Sequence, residues 1–152
     1  MRGPNAGPGE ANRRRFLLQF SIMSRINYPV QPGDVGLPAT PLPFSLATQV
    51  GDLLFVSGQA SVDKNGAIVP GTFEEEFRRS LENLKNILEA AGSGLDKVVQ
   101  VRAYVRDAAH VKLYNALYRE YFQEPLPART TLTNCLPETL HFEIECVAVV
   151  AS

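Results

Sequence analysis

From Val50 onward the apolar and polar positions fall into runs with recognisable periods. Leu53, Leu54, Phe55 and Val56 form a short apolar run stopped by Ser57 and Gly58, the pattern of a buried strand. Asp63-Lys64-Asn65-Gly66 reads as a hairpin turn, with Ala67 to Val69 returning as a second strand. Thr72 followed three residues later by Glu75 is a capping box, and Phe73, Phe77, Leu81, Leu84, Leu88 and Ala91 then mark one face of a helix that Gly92 ends. Val98 to Arg106 is rich in β-branched and aromatic residues and predicts a strand. Asp107 caps a second helix with Val111, Tyr114, Leu117, Tyr118 and Tyr121 on its buried side. Pro125 and Pro127 close it and force an extended entry into Arg129 to Asn134. In the last strand, His141 to Val150, Phe142, Ile144, Cys146, Ala148 and Val150 share one face. His141, Glu143, Glu145, Val147 and Val149 share the other.

The order strand, strand, helix, strand, helix, strand, strand predicts an α+β (α/β sandwich) fold, one mixed sheet with both helices on one face. Two helices cover one face and no more. The opposite face of the last strand still carries Val147 and Val149, and leaving that surface wet is unfavourable at roughly 25 cal/mol per Å². An obligate homo-oligomer with the uncovered sheet faces at its interfaces is therefore expected.

The 152 residues carry eleven Gly and eleven Pro, and twelve of these fall before residue 44. Residues 1–42 accordingly read as a Pro/Gly-rich extension and lead-in, and 43–152 as the folded domain. Arg13-Arg14-Arg15 followed by Phe16 to Met23 superficially resembles a twin-arginine export signal, but Gln19 and Ser21 interrupt its apolar part and no small-residue cleavage site follows. Residues 1–22 read instead as a disordered extension, a product of an upstream start codon, or a short amphipathic targeting peptide. A net charge of −1 supplies no field for general nucleic-acid or anionic-membrane binding, and no apolar run approaches the length of a membrane span. Cys135 and Cys146 have no disulfide or zinc spacing and read as reduced thiols of a cytoplasmic protein.

Metal chemistry lacks support, because His110 and His141 are the only histidines and neither has a ligand partner at a metal-binding spacing. No nucleotide loop is present, so no cofactor is expected. Two features remain. Arg129 opens an otherwise neutral strand without a local carboxylate, and its guanidinium suits bidentate capture of a small carboxylate or, alternatively, a surface or interface ion pair. Glu143 and Glu145 stand among valines, where an acid is costly unless paired, solvated or functional. Gly58 reads as a backbone position that a ligand can approach closely.

From about Pro43 to the C-terminus the chain resembles the reactive intermediate deaminase (RidA/YjgF) family. The matching stretches are Val50 to Gln59 (VGDLLFVSGQ), Leu81 to Lys85, Ala90-Ala91-Gly92, Tyr114 to Tyr118 (YNALY), Pro127-Ala128-Arg129, Leu136-Pro137 and Glu143-Ile144-Glu145. The resemblance implies a chorismate-mutase-like fold assembled as a homotrimer with sites between subunits. It also implies cofactor-independent hydrolysis of 2-imino acids and their enamine tautomers to 2-keto acids and ammonia, an activity of the 2-iminobutanoate/2-iminopropanoate deaminase type that removes imines before they damage enzymes. The family's carboxylate-binding arginine falls on Arg129, its water-positioning acid on Glu143, and a backbone contact near the substrate on Gly58. Asn115 matches a recurrent helix position of structural role.

The chain departs from the family at two positions near the substrate and in the loop between Arg129 and Leu136, which is one residue shorter than in some members. Phe44 stands where many deaminating members have a Tyr, and Thr131 where they often have a Cys. The missing hydroxyl at Phe44 favours the alternative, a non-catalytic binder or sensor of keto acids on the same trimer scaffold. Ribonuclease activity, attached to some relatives, gains little from a near-neutral chain without a His pair or a basic stripe. Chorismate mutase activity is an analogy of fold alone.

Overall fold

A computed structural model describes residues 9–10, 12–15 and 26–150 of the chain. The Phe16–Met23 run, and with it most of the expectation for residues 1–22, lies outside the described residues. Six strands form one sheet: β1 (Ile26–Asn27), β2 (Ala47–Val50), β3 (Leu53–Ala60), β4 (Val98–Val105), β5 (Ala128–Thr133) and β6 (Phe142–Val149). Their spatial order is β1-β2-β3-β6-β4-β5, antiparallel throughout except for the parallel β4/β5 pair. Helices α1 (Phe73–Ala90) and α2 (Val111–Tyr121) pack on one face. The mixed α+β architecture matches the fold expected from the sequence.

The capping box forms as read: the Thr72 hydroxyl accepts from Glu75 N–H and the Glu75 carboxylate accepts from Thr72 N–H at 2.8 Å. Gly92, with φ +79°, occupies the left-handed position beyond the helix end. Asp107 caps at the expected place, but the turn it heads is a 3-10 segment, Ala108–His110, that leads into α2. The strand expected at Ala67–Val69 is only an isolated bridge, Val62↔Ile68. Instead β3 pairs backwards with β2 through a turn at Gly51, whose φ of +58° a side chain tolerates poorly.

Phe142, Ile144, Cys146 and Ala148 of β6 are buried beneath the helices against Phe77, Leu81, Leu84 and Leu88 of α1. Val30 and Leu37, from the Pro/Gly-rich lead-in, join this core. One carboxylate lies inside it. Glu76 of α1 is 1% exposed and accepts hydrogen bonds from His141 N–H at 2.7 Å and Gly71 N–H at 3.2 Å, tying the start of β6 to the loop before α1. The sheet face away from the helices presents Leu53 and Phe55 of β3 beside Val149 and Val147 of β6, with Phe55 45% exposed.

Candidate active site

The helix-free face carries both glutamates of β6, and the structure separates their roles. Glu145 lies opposite Arg102 of β4 and forms an ion pair with it at 2.6 Å. Glu143, two residues earlier, makes no hydrogen bond or ion pair with any described residue. Burial, and secondarily the nearby charge of Glu145, raises its pKa above the ordinary carboxylate value.

A break in strand pairing gives Glu143 its surroundings. Between the pairs Val56↔Cys146 and Gln59↔Ile144, β3 uses one residue more than β6, so Ser57 and Gly58 together face Glu145 as a β-bulge. Ser57 turns toward the preceding segment, donating through N–H to Leu46 O at 2.9 Å and through Oγ to Ser45 O at 2.6 Å. Gly58 then lies against the glutamate: a Cβ built on it would sit 2.1 Å from Glu143 Oε1. Beside this pair opens a cavity of about 420 Å³ whose walls include Leu42, Phe44, Leu46, Val62, Ile68 and Leu140.

Glu143, Gly58 and Phe44 thus line one cavity, whereas Arg129 and Thr131 stand elsewhere. In β5, Arg129 is level with Val101 of β4, a residue buried under the helices, so its side chain leaves the sheet on the helix side. Its guanidinium lies over the rings of Tyr114 and Tyr118, 4.9 and 4.8 Å from their centroids, and donates to Asn115 Oδ1 at 2.9 Å. The hydroxyls of Tyr114, Tyr118 and Thr131 are buried there without a hydrogen-bond partner among the described residues. Desolvation raises the Tyr114 and Tyr118 phenol pKa values and keeps both protonated as neutral donors. A second cleft of about 370 Å³ opens beside Arg129, between Asn115, Tyr118, Leu126 and Pro127. This arrangement presents a planar cation, backed by two aromatic faces, to a small anion.

Sequence reasoning read Tyr114 and Tyr118 as core positions only. Their spacing of four, with Asn115 between, is the available signal, but that Arg129 lies over them follows only from the parallel pairing of β5. The two histidines, which have no pairing signal in the sequence, lie 5.8 Å apart between ring centroids. His110 stacks on Phe73 with its Nδ1 buried and without a hydrogen-bond partner among the described residues, and His141 Nδ1 lies 2.9 Å from Arg106 Nη2. No group of three or more His, Cys, Asp or Glu able to hold a metal ion occurs among the described residues.

Comparison with known proteins shows the family. The family model described as endoribonuclease L-PSP, the RidA/YjgF family, matches residues 37–150. The chain belongs to this family. A RutC family protein of Pyrococcus horikoshii is 42% identical over 108 residues, covering 70% of this chain and 86% of that protein. A 2-iminobutanoate/2-iminopropanoate deaminase of Mus musculus is 39% identical over 114 residues, covering 74% and 84%. Protein mmf2, mitochondrial, of Schizosaccharomyces pombe is 41% identical over 110 residues, covering 70% and 86%. Among solved structures, RidA from an Antarctic Psychrobacter species superposes with a TM-score of 0.72 at 28% identity, covering 82% of this chain and all of that one. The matched span, residues 37–150, includes the bulge, Glu143 and Arg129.

Proposed function

We propose that this RidA-family chain hydrolyses 2-imino acids and their enamine tautomers to 2-keto acids and ammonia, without a cofactor, at sites formed between the subunits of a homotrimer. The observation that carries this reading is the unpaired, desolvated Glu143 at the wall of a largely apolar cavity, beside a glycine whose missing side chain leaves room for the Glu143 carboxylate. Arg129 of a neighbouring subunit binds the substrate carboxylate and fixes the C=N bond against Glu143. Glu143, as carboxylate, accepts a proton from a water as that water's oxygen bonds to C2. It returns that proton to the nitrogen to give a carbinolamine, then takes the carbinolamine O–H proton and passes it to the same nitrogen as the C–N bond breaks and the C=O bond forms, releasing ammonia and the 2-keto acid. Imine hydrolysis already proceeds in water, so modest catalysis suffices. The relatives named as deaminases support the reaction class.

The test is the decay of 2-iminopropanoate generated in situ. Acceleration that falls sharply in Arg129→Ala supports the proposal. Absence of acceleration, or full activity in that variant, removes it. Phe44 brings no hydroxyl to the cavity, which favours the second reading, a binder of keto acids. Saturable 2-ketobutyrate binding without any acceleration of imine decay would establish it. No helix among the described residues is long and apolar enough to cross a membrane. We place the working protein in the cytoplasm, with a mitochondrial setting as the alternative raised by the fission-yeast relative. Localisation of the tagged full chain decides between them.

A further inference from the structure

Resting on the imine-hydrolysis reading, we infer that the preferred substrates carry a bulky apolar side chain, of the leucine or phenylalanine type, rather than the methyl group of the smallest 2-imino acids. The juxtaposition that carries this is a single free carboxylate, Glu143, at the wall of a cavity of about 420 Å³ whose remaining lining is mostly apolar and carries no other charge.

The uncharged polar side chains that reach the cavity wall each make one hydrogen bond within the chain. Thr40 Oγ1 accepts from Leu42 N–H at 3.1 Å, Ser57 Oγ donates to Ser45 O at 2.6 Å, and Gln59 Nε2 donates to Ser57 O at 3.1 Å. The greater part of what remains to meet a ligand is hydrocarbon from Leu42, Phe44, Val62, Ile68 and Leu140, with the Glu143 carboxylate beside it. Water against such walls lacks hydrogen-bond partners, so an apolar group that displaces it gains affinity. A three-carbon imino acid held at Glu143 fills only a small part of this space. A branched or aromatic side chain extends along it.

The cavity is held open by backbone. Ala39 N–H donates to Lys64 O at 3.0 Å, fastening the lead-in to the 63–66 turn. Gly66, at φ +81°, passes so close that a Cβ there would lie 2.1 Å from Ala39 O. The wall therefore cannot collapse onto a small ligand without breaking this contact. At the rim, Leu42, Phe44 and Ile68 are exposed large hydrophobics, 62%, 41% and 45% accessible. No Lys, Arg or His lines the cavity, and the one charge present is of carboxylate type, so a second acidic group on the substrate meets repulsion and no partner.

Imines generated in situ by an amino-acid oxidase from alanine, leucine, phenylalanine and glutamate test the inference, their decay being followed with the full chain. The leucine- and phenylalanine-derived imines are expected to show kcat/KM about tenfold or more above the alanine-derived imine, since a single methylene is worth roughly tenfold or more in an apolar pocket. The glutamate-derived imine is expected to be slowest. Leu42→Ala and Ile68→Ala alter exposed side chains, which folding tolerates, and each is expected to shrink the leucine-to-alanine ratio severalfold. Equal or greater kcat/KM for the alanine-derived imine, or a ratio unmoved in both variants, overturns the substrate inference and leaves imine hydrolysis standing. Acceleration of none of the imines overturns hydrolysis itself and this inference with it.

Discussion

Glu143 and Arg129 leave opposite faces of one sheet, with strand β4 between the strands that carry them. Neighbouring strands lie about 4.8 Å apart, and Glu143 is level with Tyr104 of β4 whereas Arg129 is level with Val101, so roughly 14 Å of sheet separates the two backbones before their side chains diverge. One small carboxylic acid cannot touch both within a single chain. A reaction using both groups needs two copies, each contributing a different face.

Subunit mixing tests this directly. Arg129→Ala and Glu143→Gln homo-oligomers are each expected to be nearly inactive. After co-refolding at equal concentration, about one site in four joins an intact Arg129 to an intact Glu143, because each of the two contributing subunits has an even chance of being the right variant. Recovery to about a quarter of wild-type activity is expected. No recovery on mixing would place both residues in one chain's site, against the arrangement above.

The raised pKa of Glu143 has consequences for stability and for rate. A carboxyl that holds its proton more tightly when folded costs stability as pH rises from the unfolded value toward the folded one. Glu143→Gln is therefore expected to melt at a higher temperature than wild type at pH 7, and the advantage should vanish at a pH below the ordinary carboxylate range. In the wild type, the acidic limb of the kcat profile should lie above the value of a solvated carboxylate. Melting curves from pH 3 to 8 and a pH–rate profile measure both.

Gly58→Ala places a methyl group where the Glu143 carboxylate now lies. That carboxylate is the end of a flexible side chain, so the fold should survive with a melting temperature close to wild type while activity falls at least tenfold. Gly66→Ala is expected to do the reverse. Its Cβ meets the Ala39 backbone carbonyl at a positive φ, so the variant should lose stability measurably by thermal melting.

The tyrosine cradle should act through Arg129. Loss of one cation–π face costs on the order of 1 kcal/mol, so Tyr118→Leu should raise KM about fivefold with a smaller change in kcat. Tyr118→Phe retains the aromatic face and should leave KM near wild type. Steady-state kinetics of the two variants distinguishes placement of the guanidinium from simple core packing.

The two thiols should react very differently. Cys135 is exposed, whereas Cys146 is buried, and desolvation pushes its thiol pKa up to about 12. One equivalent of a thiol reagent is expected to react rapidly at pH 8 and the second only after denaturation. A thiol count in the native state checks this.

Much of the architecture was legible because it rests on local signals. The Thr72 box, the spacing from Phe73 to Leu88 and the alternation through β6 each report their element within a few residues. The sequence reading missed β2, because its Ala47-Thr48-Gln49-Val50 carries a weak pattern and gains its place from pairing with β3. It gave Ala67–Val69 a strand that tertiary context reduces to one bridge. Glu143 and Arg129 stood out as charges without local partners, but two questions needed the structure. Which glutamate is free depends on Arg102 standing opposite Glu145, and the face that Arg129 takes depends on the parallel register of β5. Both are relations between residues far apart in the chain.

The extra residue in β3 has an evolutionary consequence. Deleting either Ser57 or Gly58 would give this strand an uninterrupted ladder with β6, and a search for stability alone would favour that repair. The same repair would straighten the strand and withdraw the backbone that now rests against Glu143. Selection for a sturdier sheet and selection for a working cleft therefore pull on the same two codons in opposite directions.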